Sequence, residues 1–199
     1  GGTVGITVGS RGIQNILTIR DGVIAAVRGQ GAEPVLLAAM GSHGGGTEDG
    51  QKDVLDSLGI TEERLGAKIV TCARGREIGV TDKGWRAYML ESAFGVDAIL
   101  PVNRVKKHTS LTGAIESGLA KMLVVGLGGP PGAEQFHAVG EADVLSPLLV
   151  DVSRVILEKM PVIGGLAIVE NAYEETARIA AFAPKDMIER EMELLEWSK

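Results

Sequence analysis

Cysteine is nearly absent from this chain of 199 residues. Cys72 stands alone, which excludes an internal disulfide framework and fits a reducing compartment. It falls in the strand-like run KIVTC, where a buried core thiol is the better reading. A basic excess is also lacking: Lys and Arg number 20 against 26 Asp and Glu, a net charge of −6. That balance argues against nucleic acid as a partner and leaves RVKK at 104–107 as a candidate local basic pocket. No apolar run approaches about 18 residues and no signal peptide is visible, so no membrane partner is expected and a cytoplasmic location is. The chain has no GKS or GKT, and GSHGGGT at 41–47 has neither P-loop nor G-x-G-x-x-G spacing, so nucleotide sites of those two kinds are not expected. Histidine is scarce, with His43, His108 and His137 the complete set.

What is present points to a packed domain. Hydrophobic residues make up 45% of the chain, enough for a sizeable core rather than disorder. The 28 glycines are about twice the average usage, and they gather at loop positions rather than in repeats. The length suits a single α/β domain spanning 1–199. Because Gly1-Gly2 leads straight into a strand and the chain stops just after a charged helix, the expectation is a fragment of a longer protein.

TVGITVG at 3–9 reads as a buried strand. The next segment is a helix with Ile16, Ile19, Val23 and Val27 on one stripe, stopped by Gly31. PVLLAAM at 34–40 is an unbroken apolar run of the kind that parallel sheets bury on both faces, and Thr47 caps a helix to about Leu58. Strand, helix, strand, helix with right-handed crossover puts loops 10–12 and 41–47 at the carboxyl edge of a Rossmann-like, mostly parallel sheet, where such sheets place ligands. Short strands within 67–90 suggest a small antiparallel extension turning at 82–84. AILPV at 98–102 is a further strand that delivers Asn103, Arg104, Lys106, Lys107 and His108 at its end. A helix is expected over 117–125, then a segment from Pro130-Pro131 carrying Glu134 and His137. Ser146-Pro147 reads as cap and first turn of a helix to about Lys159. Strands at 164–171 and 176–183 precede an acidic amphipathic helix after Pro184.

The chemistry-bearing residues are few. Lys121 sits in the apolar run GLAKMLVVGLG, where an ammonium is costly to bury unless paired or used, although a helical lysine commonly reaches solvent along its stem. A lone loop histidine is more often structural than catalytic, but all three here lie in loops or loop-to-helix positions beside glycine. They are compatible with a zinc site with an open position, serving a hydrolase or lyase, although spacings of 65 and 29 residues are unspecific for metal ligands. They are equally compatible with an acid–base pair around a substrate whose carboxylate is held by Arg11 or Lys107. A positioned histidine contributes roughly 10²–10⁴-fold, whereas enzymes commonly need about 10⁶-fold. Inverting a hydroxy acid therefore calls for a hydride-accepting cofactor. A non-catalytic anion- or nucleotide-binding domain is the third reading. Glu116 and Glu134 read as solvated helix residues in preference to partners of Lys121 or of a histidine.

Taken together, VGSRG (8–12), AAMGSHGGGT (38–47), VNRVKKHT (102–109), IESGLAKMLVVGLG (115–128) and the His137 segment resemble the nickel-pincer-nucleotide-dependent lactate racemase family. VENAYEETARI (169–179) resembles less-characterised members of that superfamily. The resemblance runs along nearly the whole chain and corresponds to the amino-terminal half of a two-domain family protein, which implies that this half is inactive by itself. It implies that Lys121 carries the pincer nucleotide covalently and that His137 ligates its nickel. It further implies that His43 and His108 are the acid–base pair and that Arg11 engages the substrate carboxylate. The implied activity is racemisation or epimerisation of a 2-hydroxy acid, with dependence on the enzymes that make the cofactor.

Overall fold

In the computed structural model, residues 1–108 and 111–198 are described; Thr109 of the VNRVKKHT run lies outside them. The first strand, β1 (Thr3–Val8), pairs in parallel with β2 (Glu33–Ala38), and β2 pairs in parallel with β3 (Lys68–Val70). On its other side β1 pairs with β6 (Ala98–Leu100), giving the parallel order β3-β2-β1-β6. Side-chain alternation sends Leu36 and Ala38 to one face and Leu37 and Ala39 to the other, and both sets are buried. The helices α1 (Ile16–Gly29), α2 (Glu48–Ser57) and α3 (Glu62–Leu65) cover the first face. The second face packs against α4 (Leu119–Lys121), α5 (Gly129–Val139), α6 (Ala142–Lys159) and α7 (Met187–Trp197). The hairpin β4 (Gly75–Val80) and β5 (Arg86–Leu90) is the antiparallel extension, whereas Lys68–Val70, expected to belong to it, joins the parallel sheet instead.

The AILPV run is one extended segment serving two sheets. Pro101 interrupts it, because proline cannot donate to a ladder. Before the proline, β6 pairs with β1; after it, β7 (Val102–Arg104) pairs in parallel with β8 (Gly165–Glu170), which pairs antiparallel with β9 (Thr176–Phe182). The buried Thr7 hydroxyl bridges the break, accepting from the Val102 amide at 2.9 Å and donating to the Val102 carbonyl at 3.3 Å. Thr7→Val keeps the shape but strands that buried amide. It is expected to lower unfolding free energy by about 1–3 kcal/mol, read from urea unfolding; an unchanged midpoint would deny the bridge any weight.

Two helix readings need correction. The helix expected to start at Ser146-Pro147 begins at Ala142, and Pro147 lies inside it. Ser146 is not its cap: the buried hydroxyl accepts from the Ile115 amide at 3.0 Å and anchors a neighbouring segment. The helix expected over 117–125 is a single α turn at Leu119–Lys121 followed by a π turn at Met122–Gly126. Elsewhere the local chemistry follows the expectation. Thr47 Oγ1 accepts from Gly50 N at 3.1 Å at the start of α2. Gly31, with φ of 73°, ends α1, and Cys72 is buried. Among the described residues no helix is long and apolar enough to cross a membrane.

Candidate functional site

The loops that leave the carboxyl ends of β1, β2 and β7 open onto one cleft of about 530 Å³. Arg11, His43, His108, Lys121 and His137 all line it. The structure thus brings together these five site residues that the sequence singled out, from five separate segments of the chain.

Each is held by an identifiable device. The Arg11 loop is tied to the far end of the chain through Glu170 on β8, whose Oε1 accepts from Gln14 N at 2.7 Å. The other oxygen of Glu170 forms a largely buried ion pair with Arg104. Asn15, in the left-handed conformation at φ 57°, donates to Thr176 Oγ1 at 3.2 Å and completes the clasp. His43 precedes a run of glycines 44–46 with φ of 65–68°, a conformation that side chains rarely adopt. Its Nδ1 shares a hydrogen bond with the Ser10 hydroxyl, so the first two loops are joined at the imidazole itself. His108 is set through its backbone amide, which donates to Glu116 Oε2 at 2.6 Å. Glu116 is buried, which corrects its reading as a solvated helix residue. Glu134 is exposed.

Lys121 ends the α turn that begins at Gly118. Asn103 Nδ2 donates to Gly118 O at 2.8 Å, and the Lys106 and Ser117 backbones exchange bonds at 2.9 and 3.2 Å. The turn's Ala120 amide donates to Glu191 Oε2 of α7 at 2.9 Å. The π turn that follows brings Gly126 against the end of β2, where an added Cβ would lie 2.8 Å from Ala39 O. Such turns recur at functional sites. Lys121 Nζ lies 5.3 Å from the centre of the Phe136 ring, and the His137 ring packs edge-on to that same ring at 5.5 Å. One buried aromatic therefore fixes the spacing of lysine and histidine.

The electrostatics are one-sided. Arg11, Arg20, Arg104, Lys106, Lys107 and Lys121 line the cleft, with no carboxylate among its described lining residues, in a chain of net charge −6. Burial, with help from Arg11 and Lys106, pushes the Lys121 ammonium below its ordinary pKa and enlarges the neutral, nucleophilic fraction. Burial also lowers His43, aided by Arg11, Lys121 and His137. His108 is lowered by burial first and Lys121 next, against the opposing pull of Glu116. Both imidazoles are therefore neutral at pH 7 and able to take a proton. Among the described residues no group of three His, Cys, Asp or Glu converges to hold a metal ion.

Two buried charges escaped the sequence reading. The inward stripe of α1 centres on Arg20, Ile24 and Val27 rather than on Ile19 and Val23, and Glu191 lies within the inward stripe of α7.

No family model matches the chain, and no curated protein matches it in sequence. Among solved structures it is similar to the lactate racemase apoprotein from Thermoanaerobacterium thermosaccharolyticum. The TM-score is 0.69 at 12% identity, over 98% of this chain and 49% of that one. The chain has the fold of that region and spans about half the length of the racemase chain.

Proposed function

We propose that this chain is the cofactor-carrying part of a 2-hydroxy-acid racemase or epimerase that uses a nickel-pincer nucleotide tethered through Lys121. The observation that carries the reading is the meeting of Lys121, His137, His43, His108 and Arg11 in one cationic cleft on a racemase fold. The residues fit such a group. Lys121 would carry it and His137 would ligate its metal, and the two stand beside one another across Phe136. The depressed pKa of Lys121 suits covalent attachment. When bound, the group supplies a hydride acceptor for the substrate α-carbon. His43 and His108, neutral at pH 7, take and return the hydroxyl proton, and Arg11 holds the carboxylate by a charge-assisted bond. With the group in place, its hydride chemistry and the proton service of these two histidines would together amount to racemisation or epimerisation.

The test is intact mass with metal analysis on protein produced alongside the pincer-nucleotide biosynthetic enzymes and nickel. A covalent adduct mapping to Lys121 with stoichiometric nickel is expected, and Lys121→Ala should abolish both. Bound zinc without an adduct would move the site to hydrolase or lyase chemistry. Neither adduct nor metal would leave an anion-binding domain.

A further inference from the structure

Arg20 is 2% exposed, yet it lines the cleft. It occupies the centre of the inward stripe of α1, between Ile16 and Ile24, where an apolar side chain completes the pattern. Its Nη1 donates to Thr7 O at 2.9 Å, its Nε has no partner, and no carboxylate pairs with it among the described residues. Burial brings its pKa down to about 10, which still leaves the guanidinium charged at neutral pH. A buried charge without a counter-ion costs several kcal/mol, and a single carbonyl contact uses one of five donors. Replacement by a well-packed apolar side chain would usually be neutral or stabilising at such a position. The guanidinium is therefore hard to account for by folding alone. Around it, Arg11, Lys106 and Lys107 add charge of the same sign, which leaves an anion as the missing complement.

We propose that Arg20 is the inner anchor of an oxyanion subsite in this cleft, holding a carboxylate or phosphate oxygen of the bound ligand. The subsite stands whether or not the racemase reading does, since the probes below need neither nickel nor cofactor. Inorganic phosphate and glycolate are titrated separately by calorimetry into the chain and into Arg20→Met and Arg20→Lys variants. Affinity for one probe is expected to fall about ten- to hundredfold in Arg20→Met, the range for a hydrogen bond to a charged group, with partial recovery in Arg20→Lys. Arg20→Met should melt no lower than the parent. Loss confined to phosphate assigns the anchor to a phosphate-bearing ligand, and loss confined to glycolate assigns it to a carboxylate substrate. In the unsubstituted chain, the Arg20 Nε–H resonance should shift as the same anion is added, a readout that survives a misfolded variant. Affinities within twofold of the parent for both probes, a resonance that stays put, or no binding by the parent would overturn the subsite.

Discussion

Under the proposed racemase reading, replacing His43 by glutamine should lower turnover of the cofactor-loaded two-domain protein about 10²–10⁴-fold, the contribution of one positioned acid–base group. Nickel content and the Lys121 adduct stay intact. The separation of effects follows from the geometry. His43 rises from the loop after β2 and is joined to Ser10 across the cleft mouth, whereas Lys121 and His137 are fixed from α4 and α5 around Phe136. The pH profile should carry the same signature. Both candidate bases are depressed below the ordinary histidine value of 6.5 by burial and by neighbouring cations. The acid limb of kcat/KM therefore falls below pH 6.5, with rates held from there through neutrality. Racemisation rates across pH on a panel of 2-hydroxy acids measure this. An acid limb above 6.5, or loss of nickel in the glutamine variant, would remove His43 from the proposed role.

The larger stability effect is expected at Glu191. Its carboxyl is 1% exposed, and burial pushes it up to about 7 from an ordinary 4.5, against the two amides of α4 that favour the charged form. Between those values the folded chain holds a proton that the unfolded chain has released. The favourable contribution of this group is complete below pH 4.5 and is lost as pH rises through 7. At 1.36 kcal/mol per tenfold, the span amounts to about 3 kcal/mol. Glu191→Gln has no proton to lose. Its unfolding free energy should gain on the parent by that amount between about pH 4.5 and 8, read from urea unfolding at several pH values. Parallel curves for the two proteins would show that Glu191 does not titrate in this window. Glu191→Ala instead strands the amide of Ala120, at a cost of about 1–3 kcal/mol, and loosens the turn that presents Lys121.

Much of this architecture was legible in the residues. The apolar runs at 3–9 and 34–40 announce strands buried on two faces, and the crossover rule then places their following loops at one edge. Pro101 was visible, but its effect was not, because the change of partner depends on Thr7, which lies 95 residues away from Val102. Ser146-Pro147 has the local chemistry of a helix start and misled for that reason: the hydroxyl is drawn off by Ile115. Arg20 and Glu191 share one cause. Each stands where helical periodicity places an inward residue, Arg20 between Ile16 and Ile24, Glu191 between Met187 and Leu195. A charge at the centre of an apolar stripe was the available signal. Reading charged residues as solvated by default hid it, as it also hid Glu116.

The clasp between the first loop and Glu170 has a consequence in time as well as space. The contact joins Gln14 to a residue 156 positions later, so the cost of closing that length of chain falls before the loop is set. During synthesis, β1 and β2 can pair early, but the clasp on the Arg11 loop can close only after β8 emerges, and the Glu191 contact to the Lys121 turn only after α7 follows. Assembly of the cleft is thus a late event laid over an early sheet. A folding intermediate with native helices and strands would be unable to hold the lysine, the histidines and the arginine in common register.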